Sequence, residues 1–304
     1  MESKNHNIYT GVRLAQQQFF KQLKSKPISF RIDCLKRLKK QIELQETQVI
    51  EALNADLGKP SFESYTSEIL MVQKELDLFI KNLKRWAAPK RVSGSLINFP
   101  SQDYILSEAY GTILMISPWN YPFQLAMIPL VGAIAAGNTV VLKPSESAPH
   151  TSKVLIDILG QVFTEEWVKV IEGDAKVAQD LLTLQWDYIF FTGSTTVGKI
   201  VAQAAAIHLT PVTLELGGKS PCVDLGGRRI IKTAKRIVFG KFLNCGQTCI
   251  APDYVLVKKE HQQALIQALS NEIQKAYGKD SAQSKDYGRI IHQKHFDKLV
   301  ADLK

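Results

Sequence analysis

The sequence predicts an α/β protein in which a helical N-terminal segment precedes a parallel sheet. Three observations carry that expectation. Between residues 113 and 216, short apolar runs alternate with helical stretches of about ten residues, the pattern of βαβ units. From Tyr9 to about Trp86, apolar residues recur every three or four positions. Polar or charged groups also stand directly after the apolar runs, where an open parallel sheet meets its ligands.

The elements follow in order. Phe19, Phe20 and Leu23, and later Ile69, Val72, Leu76, Phe79 and Leu83, mark helical faces, and Pro60 after Gly58 closes one helix. After Pro89 and Gly94 the texture changes. Residues 104–108 and 112–117 are strand-like, with Tyr110-Gly111 as a turn between them. Strands are then expected over 113–116, 139–142, 168–171, 188–191 and Val212–Leu216. Helices alternate with them over Gln124–Ala136, 151–159, Ala175–Leu182 and 197–207. No repeat of solenoid length is visible.

Composition narrows the function classes. The chain has 304 residues, 45% hydrophobic and 22% charged, which excludes bulk disorder and is enough to bury a core without disulfides or structural metal. The four cysteines, Cys34, Cys222, Cys245 and Cys249, make no disulfide framework and point to a reducing, intracellular setting. A net charge of +9 permits anionic partners. The basic residues are interleaved with acids, however, and read as a solvated helix face, so no nucleic acid is expected. MESKNHNIYT has no secretory apolar stretch. The uncharged run between Glu108 and Lys143 is divided by Pro118, Pro122 and Pro129, and reads as buried strand–helix–strand, not a membrane segment.

The strand ends carry the chemistry. Gly193, Ser194, Thr195, Thr196, Val197, Gly198 and Lys199 match a phosphate loop, but Ile200 stands where a magnesium-binding Ser or Thr belongs. What remains is a glycine-rich helix N-terminus, either a pyrophosphate seat or a plain helix start. Lys143 with Glu146 suits either the hydroxyls of a ribose or an ion pair at the sheet rim. Cys249, after a Gly-Gln-Thr turn, is either a partly exposed nucleophile or a small hydrophobe. Cys34, Cys222 and Cys245 read as small buried hydrophobes. Glu215 is opposite in facing to Val212, Leu214 and Leu216, and is either a general base or a solvated glutamate.

As a set, SPWNYP (117–122), GNTVVLKPSE (137–146), FTGSTTVG (191–198), LELGGKSP (214–221) and NCGQTC (244–249) resemble the aldehyde dehydrogenase family. With Ala251-Pro252-Asp253-Tyr254 following, the likeness is greatest to the class 3 branch, which acts on fatty and aromatic aldehydes. The resemblance implies helices over 1–99 packed on a Rossmann-like NAD(P) domain over 100–216, with the first part of an α/β catalytic domain over 217–304. It implies Cys249 as nucleophile, Asn120 as oxyanion donor beside the Cys249 backbone N–H, and Glu215 as the base that activates water. Lys143 and Glu146 would take the ribose, Gly193 to Gly198 the pyrophosphate, and Trp119 and Leu216 would line the cleft. NAD or NADP, no metal, an aldehyde substrate, a cytoplasmic setting and a homodimer of the full-length form follow from the same likeness. Family members continue past residue 304, so a C-terminally truncated chain with an incomplete catalytic domain and exposed apolar surface is expected. An inactive fragment that still binds nucleotide is the alternative.

Overall fold

The computed structural model describes residues 2–226 and 229–303, with side chains from residue 9 onward. The chain opens with α1 (Glu2–Lys21), α2 (Ile28–Leu44), α3 (Glu46–Leu57) and α4 (Ser61–Ser64), which runs through a π-helical turn (Tyr65–Ile69) into α5 (Leu70–Trp86). α3 ends as expected: Gly58 takes φ 59° and donates its N–H to Asn54 O at 2.7 Å, and Pro60 cannot continue the helix.

Next come β1 (Lys90–Val92) and β2 (Asp103–Ile105), an antiparallel pair. This corrects the expectation of two strands joined by a turn at Tyr110-Gly111. The run 104–108 forms only the short β2, which pairs back to β1, a strand that the basic Lys-Arg-Val sequence does not announce. Gly111 instead redirects the chain into the main sheet. It has φ 134°, and a Cβ there would lie 2.2 Å from Asp187 Oδ2, the atom that accepts the Thr112 N–H at 2.7 Å.

The main sheet alternates β3 (Thr112–Ile116), α6 (Gln124–Ala136), β4 (Thr139–Lys143), α7 (Pro149–Gly160), β5 (Val168–Val170), α8 (Ala175–Leu182), β6 (Tyr188–Gly193), α9 (Thr195–Ile207) and β7 (Val212–Leu216). Its five strands are all parallel, in the order β5-β4-β3-β6-β7. The continuous apolar runs make sense because both faces are covered. Ile113, Met115, Val140 and Leu142 pack towards α2, α5, α6 and α7, whereas Leu114, Ile116 and Val141 pack towards α8 and α9. Strand order reverses beside β3, so the crevice beyond the carboxyl ends of β3 and β6 is where this architecture receives ligands.

The remainder comprises β8 (Ser220–Asp224), α10 (Ile230–Phe242), β9 (Pro252–Val257), α11 (Gln262–Tyr277) and α12 (Gln293–Asp302). β8 and β9 form a two-stranded parallel sheet, and Ala234, Ile237 and Leu265 form the small core beneath it. Large apolar side chains stay exposed here, among them Phe239, Ile250 and Leu256. Among the described residues no helix is long and apolar enough to cross a membrane.

Candidate active site

Two loops far apart in sequence meet beyond β3. One is Ser117–Asn120, the direct continuation of that strand; the other joins α10 to β9 and carries Cys249. The Asn120 side-chain amide donates to Gln247 O at 2.9 Å, and the Asn244 amide donates to Asn120 O at 2.6 Å. Tyr121 Oη shares a 2.6 Å hydrogen bond with Thr248 Oγ1, the residue next to Cys249. Burial pushes the Tyr121 hydroxyl up to about 12, so this bond is made by a neutral phenol at ordinary pH.

The cysteine loop adopts an uncommon backbone. Asn244 (φ 54°), Cys245 (φ 55°) and Gly246 (φ 77°) are left-handed in succession. For residues other than glycine this costs about 1–2 kcal/mol each. The surroundings hold it in place. The Asn244 N–H donates to Glu63 Oε1 at 2.6 Å, Gln247 Nε2 donates to Arg289 O at 2.9 Å, and Gln247 Oε1 accepts the Ile291 N–H at 3.0 Å. Cys249 is exposed at the end of this loop. A Cβ on Gly218 would lie 3.3 Å from Cys249 O, so the turn after β7 passes directly against the cysteine backbone.

Glu215 is exposed near the end of β7, in register with Thr192, and the hydrogen bonds that hold the cysteine loop come from other residues. Of the other thiols, Cys34 is fully buried, as expected, but Cys222 and Cys245 are only half-buried. The correction has a physical source: β8 lies in a sheet with one poorly covered face, and Cys245 sits on a loop. Burial and the hydrogen bond with Tyr287 act on Cys245 in opposite directions, and burial wins, pushing the thiol up.

The strand-end residues assemble around the other side of the crevice. Lys143 is in register with Ile116, and its buried Nζ reaches Glu146 Oε2, 49% exposed, at 2.7 Å. Ser194 caps α9, its Oγ accepting the Val197 N–H at 3.3 Å, while Thr195, Thr196 and Val197 lie exposed around that first turn. Gly193 is in register with Leu216, and a Cβ on Gly198 would lie 2.6 Å from Leu216 Cδ2. The glycine therefore lets the leucine lie against the first turn of the helix, an end whose N–H groups suit an anion. Trp119 packs its ring 4.9 Å from that of His295 and 6.5 Å from that of His292. Burial lowers the His295 pKa, keeping that imidazole neutral at neutral pH.

The aldehyde dehydrogenase family model matches residues 2–303. The chain belongs to the aldehyde dehydrogenase family. It is 47% identical to the 4,4'-diaponeurosporen-aldehyde dehydrogenase of Staphylococcus aureus, over 94% of this chain and 62% of that protein. It is also 47% identical to aldehyde dehydrogenase family 3 member B3 of mouse, over 91% of this chain and 58% of that protein, in keeping with the class 3 likeness. The substrate-bound Staphylococcus aureus AldH superposes with a TM-score of 0.94 at 46% identity, over 97% of this chain and 64% of that one. A Mycobacterium tuberculosis aldehyde dehydrogenase complexed with NAD+ superposes at 0.82 with 26% identity, over 90% of this chain and 56% of that one. The chain thus spans about 60% of the length of the curated relatives it matches.

Several residues around this crevice are not singled out by the sequence: Tyr121, Asn244, Gln247, and the buried acids and lysine behind them, Lys59, Glu63 and Glu68. A signal exists for three: Tyr121 lies within SPWNYP (117–122). Asn244 and Gln247 flank Cys245-Gly246 within the stretch that carries the resemblance. Nothing in spacing marked the other charged residues as buried.

Proposed function

We propose that the chain carries the nucleophile and the dinucleotide seat for oxidation of a medium-chain or aromatic aldehyde to its carboxylic acid. The observation that carries this reading is the Asn120 side-chain amide bonded to Gln247 O, two residues before Cys249. It ties the ligand end of a parallel sheet to an exposed thiol. An amide nitrogen has two hydrogens; one is engaged with Gln247, and the other is available to a substrate oxygen.

The Cys249 thiolate attacks the aldehyde carbon, and the carbonyl oxygen becomes an oxyanion held by Asn120 Nδ2 and the Cys249 N–H. NAD or NADP, when bound, supplies the hydride acceptor. The acyl group then remains on Cys249 as a thioester. Glu215 takes a proton from water, whose hydroxide adds to the thioester carbon and expels the Cys249 thiolate, releasing the carboxylic acid. The proton held by Glu215 then returns to solvent, leaving the thiolate and the carboxylate ready for another cycle. Lys143 and Glu146 would hold the adenosine ribose, Gly193 to Gly198 the pyrophosphate, and Trp119 and Leu216 the walls of the cleft. The Gly198–Leu216 contact supports that fit, since it flattens the exposed helix turn against the sheet edge. On this reading residues 1–99 support a nucleotide domain over 100–216, and 217–304 begin a catalytic domain. A cytoplasmic setting and a homodimer of the full-length form rest on the family likeness alone.

The test is NADH or NADPH formation on adding aldehyde. Cys249→Ala is expected to abolish it while nucleotide binding persists, and Glu215→Gln to slow turnover by roughly 10²–10⁴ after a burst of one equivalent. Turnover undiminished by Cys249→Ala overturns the mechanism. The second reading, a nucleotide-binding chain without turnover, draws on the 62% coverage of the relative and the exposed apolar residues around β9. It predicts nucleotide binding and no aldehyde-dependent reduction in the unaltered chain.

A further inference from the structure

We infer that Lys59, Glu63 and Glu68, on the N-terminal helical segment, are positioning residues for the two loops that present Asn120 and Cys249; this rests on the reading just proposed. Lys59 and Glu68 form an ion pair whose side chains are both 0% exposed. Lys59 Nζ also lies 3.5 Å from Asn120 O and 4.4 Å from the centre of the Tyr121 ring. Glu68 Oε2 accepts the N–H groups of Phe123 at 2.9 Å and Gln124 at 3.0 Å, fixing the chain just after Asn120. Glu63 Oε1 accepts the Asn244 N–H at 2.6 Å, fixing the left-handed turn that leads to Cys249.

The Asn120 carbonyl is thereby held from two sides, by Lys59 from the helical segment and by the Asn244 amide from the cysteine loop. Stability does not account for such a cluster. Removing two charges from water costs several kcal/mol per ion, and a packed apolar substitute is often as stable or more so. Geometry does account for it. The acids of one segment reach into both loops and set the spacing between the oxyanion donor and the thiol, at a place where a shift of about 1 Å costs on the order of a hundredfold in rate.

The test compares four variants of this chain. Glu63→Ala deletes the acceptor for Asn244, and Glu63→Gln keeps an oxygen there. Lys59→Met combined with Glu68→Gln removes the ion pair as a unit and keeps an acceptor for Phe123 and Gln124, while Glu63 loses the Lys59 charge beside it. Lys39→Met breaks the partly exposed ion pair with Asp77 and serves as the control. Hydrogen exchange followed by mass spectrometry is expected to quicken about tenfold or more over 243–249 in Glu63→Ala and over 117–124 in the double variant, and to stay unchanged in Glu63→Gln and Lys39→Met. In aldehyde-dependent reduction, kcat is expected to fall by about tenfold to a hundredfold in Glu63→Ala and the double variant. KM for the nucleotide should hold, because Lys143, Glu146 and the turn at Gly193 to Gly198 lie outside the cluster.

Unchanged exchange in Glu63→Ala and the double variant overturns the inference. So does a nucleotide KM that rises in step with the fall in kcat, or a Glu63→Gln variant as impaired as Glu63→Ala. If the double variant does not fold, the Glu63 pair, which leaves Lys59 and Glu68 in place, decides the matter. Absence of turnover in the unaltered chain would count against aldehyde oxidation, and the exchange data would still decide the positioning.

Discussion

The strands before and after Gly217 are made of similar apolar residues and meet opposite surroundings. In β3 and β4 every residue is buried, with Leu114 and Val141 fully so. In β8 and β9 every residue is half-buried or exposed, and Leu256 remains 52% exposed. A parallel sheet is ordinarily covered on both faces, and two strands alone are marginal. The side proposed to seat the nucleotide therefore takes its geometry from side-chain packing. The cysteine side takes its geometry from hydrogen bonds that tie its loop to β3 and to the N-terminal helices. Two ways of fixing position operate on either side of one crevice.

The sharpest way to break this contrast is a pair of truncations. Leu114→Ala is expected to destabilise the fold by about 2–5 kcal/mol, whereas Leu256→Ala should stay within about 0.5 kcal/mol. Denaturant unfolding reads both, and equal losses would mean that the two sheets are not differently supported. Next in size, Asn120→Ala should lower kcat by about 10²–10³ with the midpoint of thermal unfolding little changed. A large drop in that midpoint would make Asn120 a structural residue first. Gly198→Val inserts a side chain where the Cβ alone would lie 2.6 Å from Leu216. It should raise the nucleotide KM roughly tenfold, about 1.4 kcal/mol, without altering the alkylation rate of Cys249 by iodoacetamide. An altered alkylation rate would show the two sides to be mechanically coupled. The smallest effect is expected for Glu146→Gln. It removes a negative charge beside Lys143 and should shift the ratio of kcat/KM towards NADP by roughly threefold to tenfold, since one like-charge repulsion at a half-exposed site is modest.

The packed side was largely legible in the sequence and the laced side was not, for the same physical reason. Apolar periodicity reports burial, so α6, α8 and β7 fall at their expected bounds. β1 and β2 escaped because three-residue strands on a surface arm bury too little to impose a pattern. That Ile200 offers no oxygen for magnesium is legible in the sequence, because it needs only the chemistry of one side chain. Lys59, Glu63 and Glu68 look like solvated helix charges when taken by spacing. The burial of Glu63 depends on a loop 181 residues downstream, and that of Lys59 and Glu68 on one 55 to 61 residues downstream, and no local window contains either. Asn120 and Cys249 stand out through the resemblance, but the hydrogen bond from Asn120 to Gln247, two residues before Cys249, needs the folded chain.

The successive left-handed residues at Asn244 and Cys245 have a consequence for engineering. Glycine at 244 would delete the buried amide bonded to Asn120 O, whereas at 245 it would relieve the backbone without that loss, so a screen for thermal resistance should select it at 245. The same change would slacken the turn that leads to Cys249, the proposed nucleophile. Selection for hardiness and selection for turnover should therefore diverge at this turn, and surviving thermotolerant variants with Gly at 245 should be the slower catalysts.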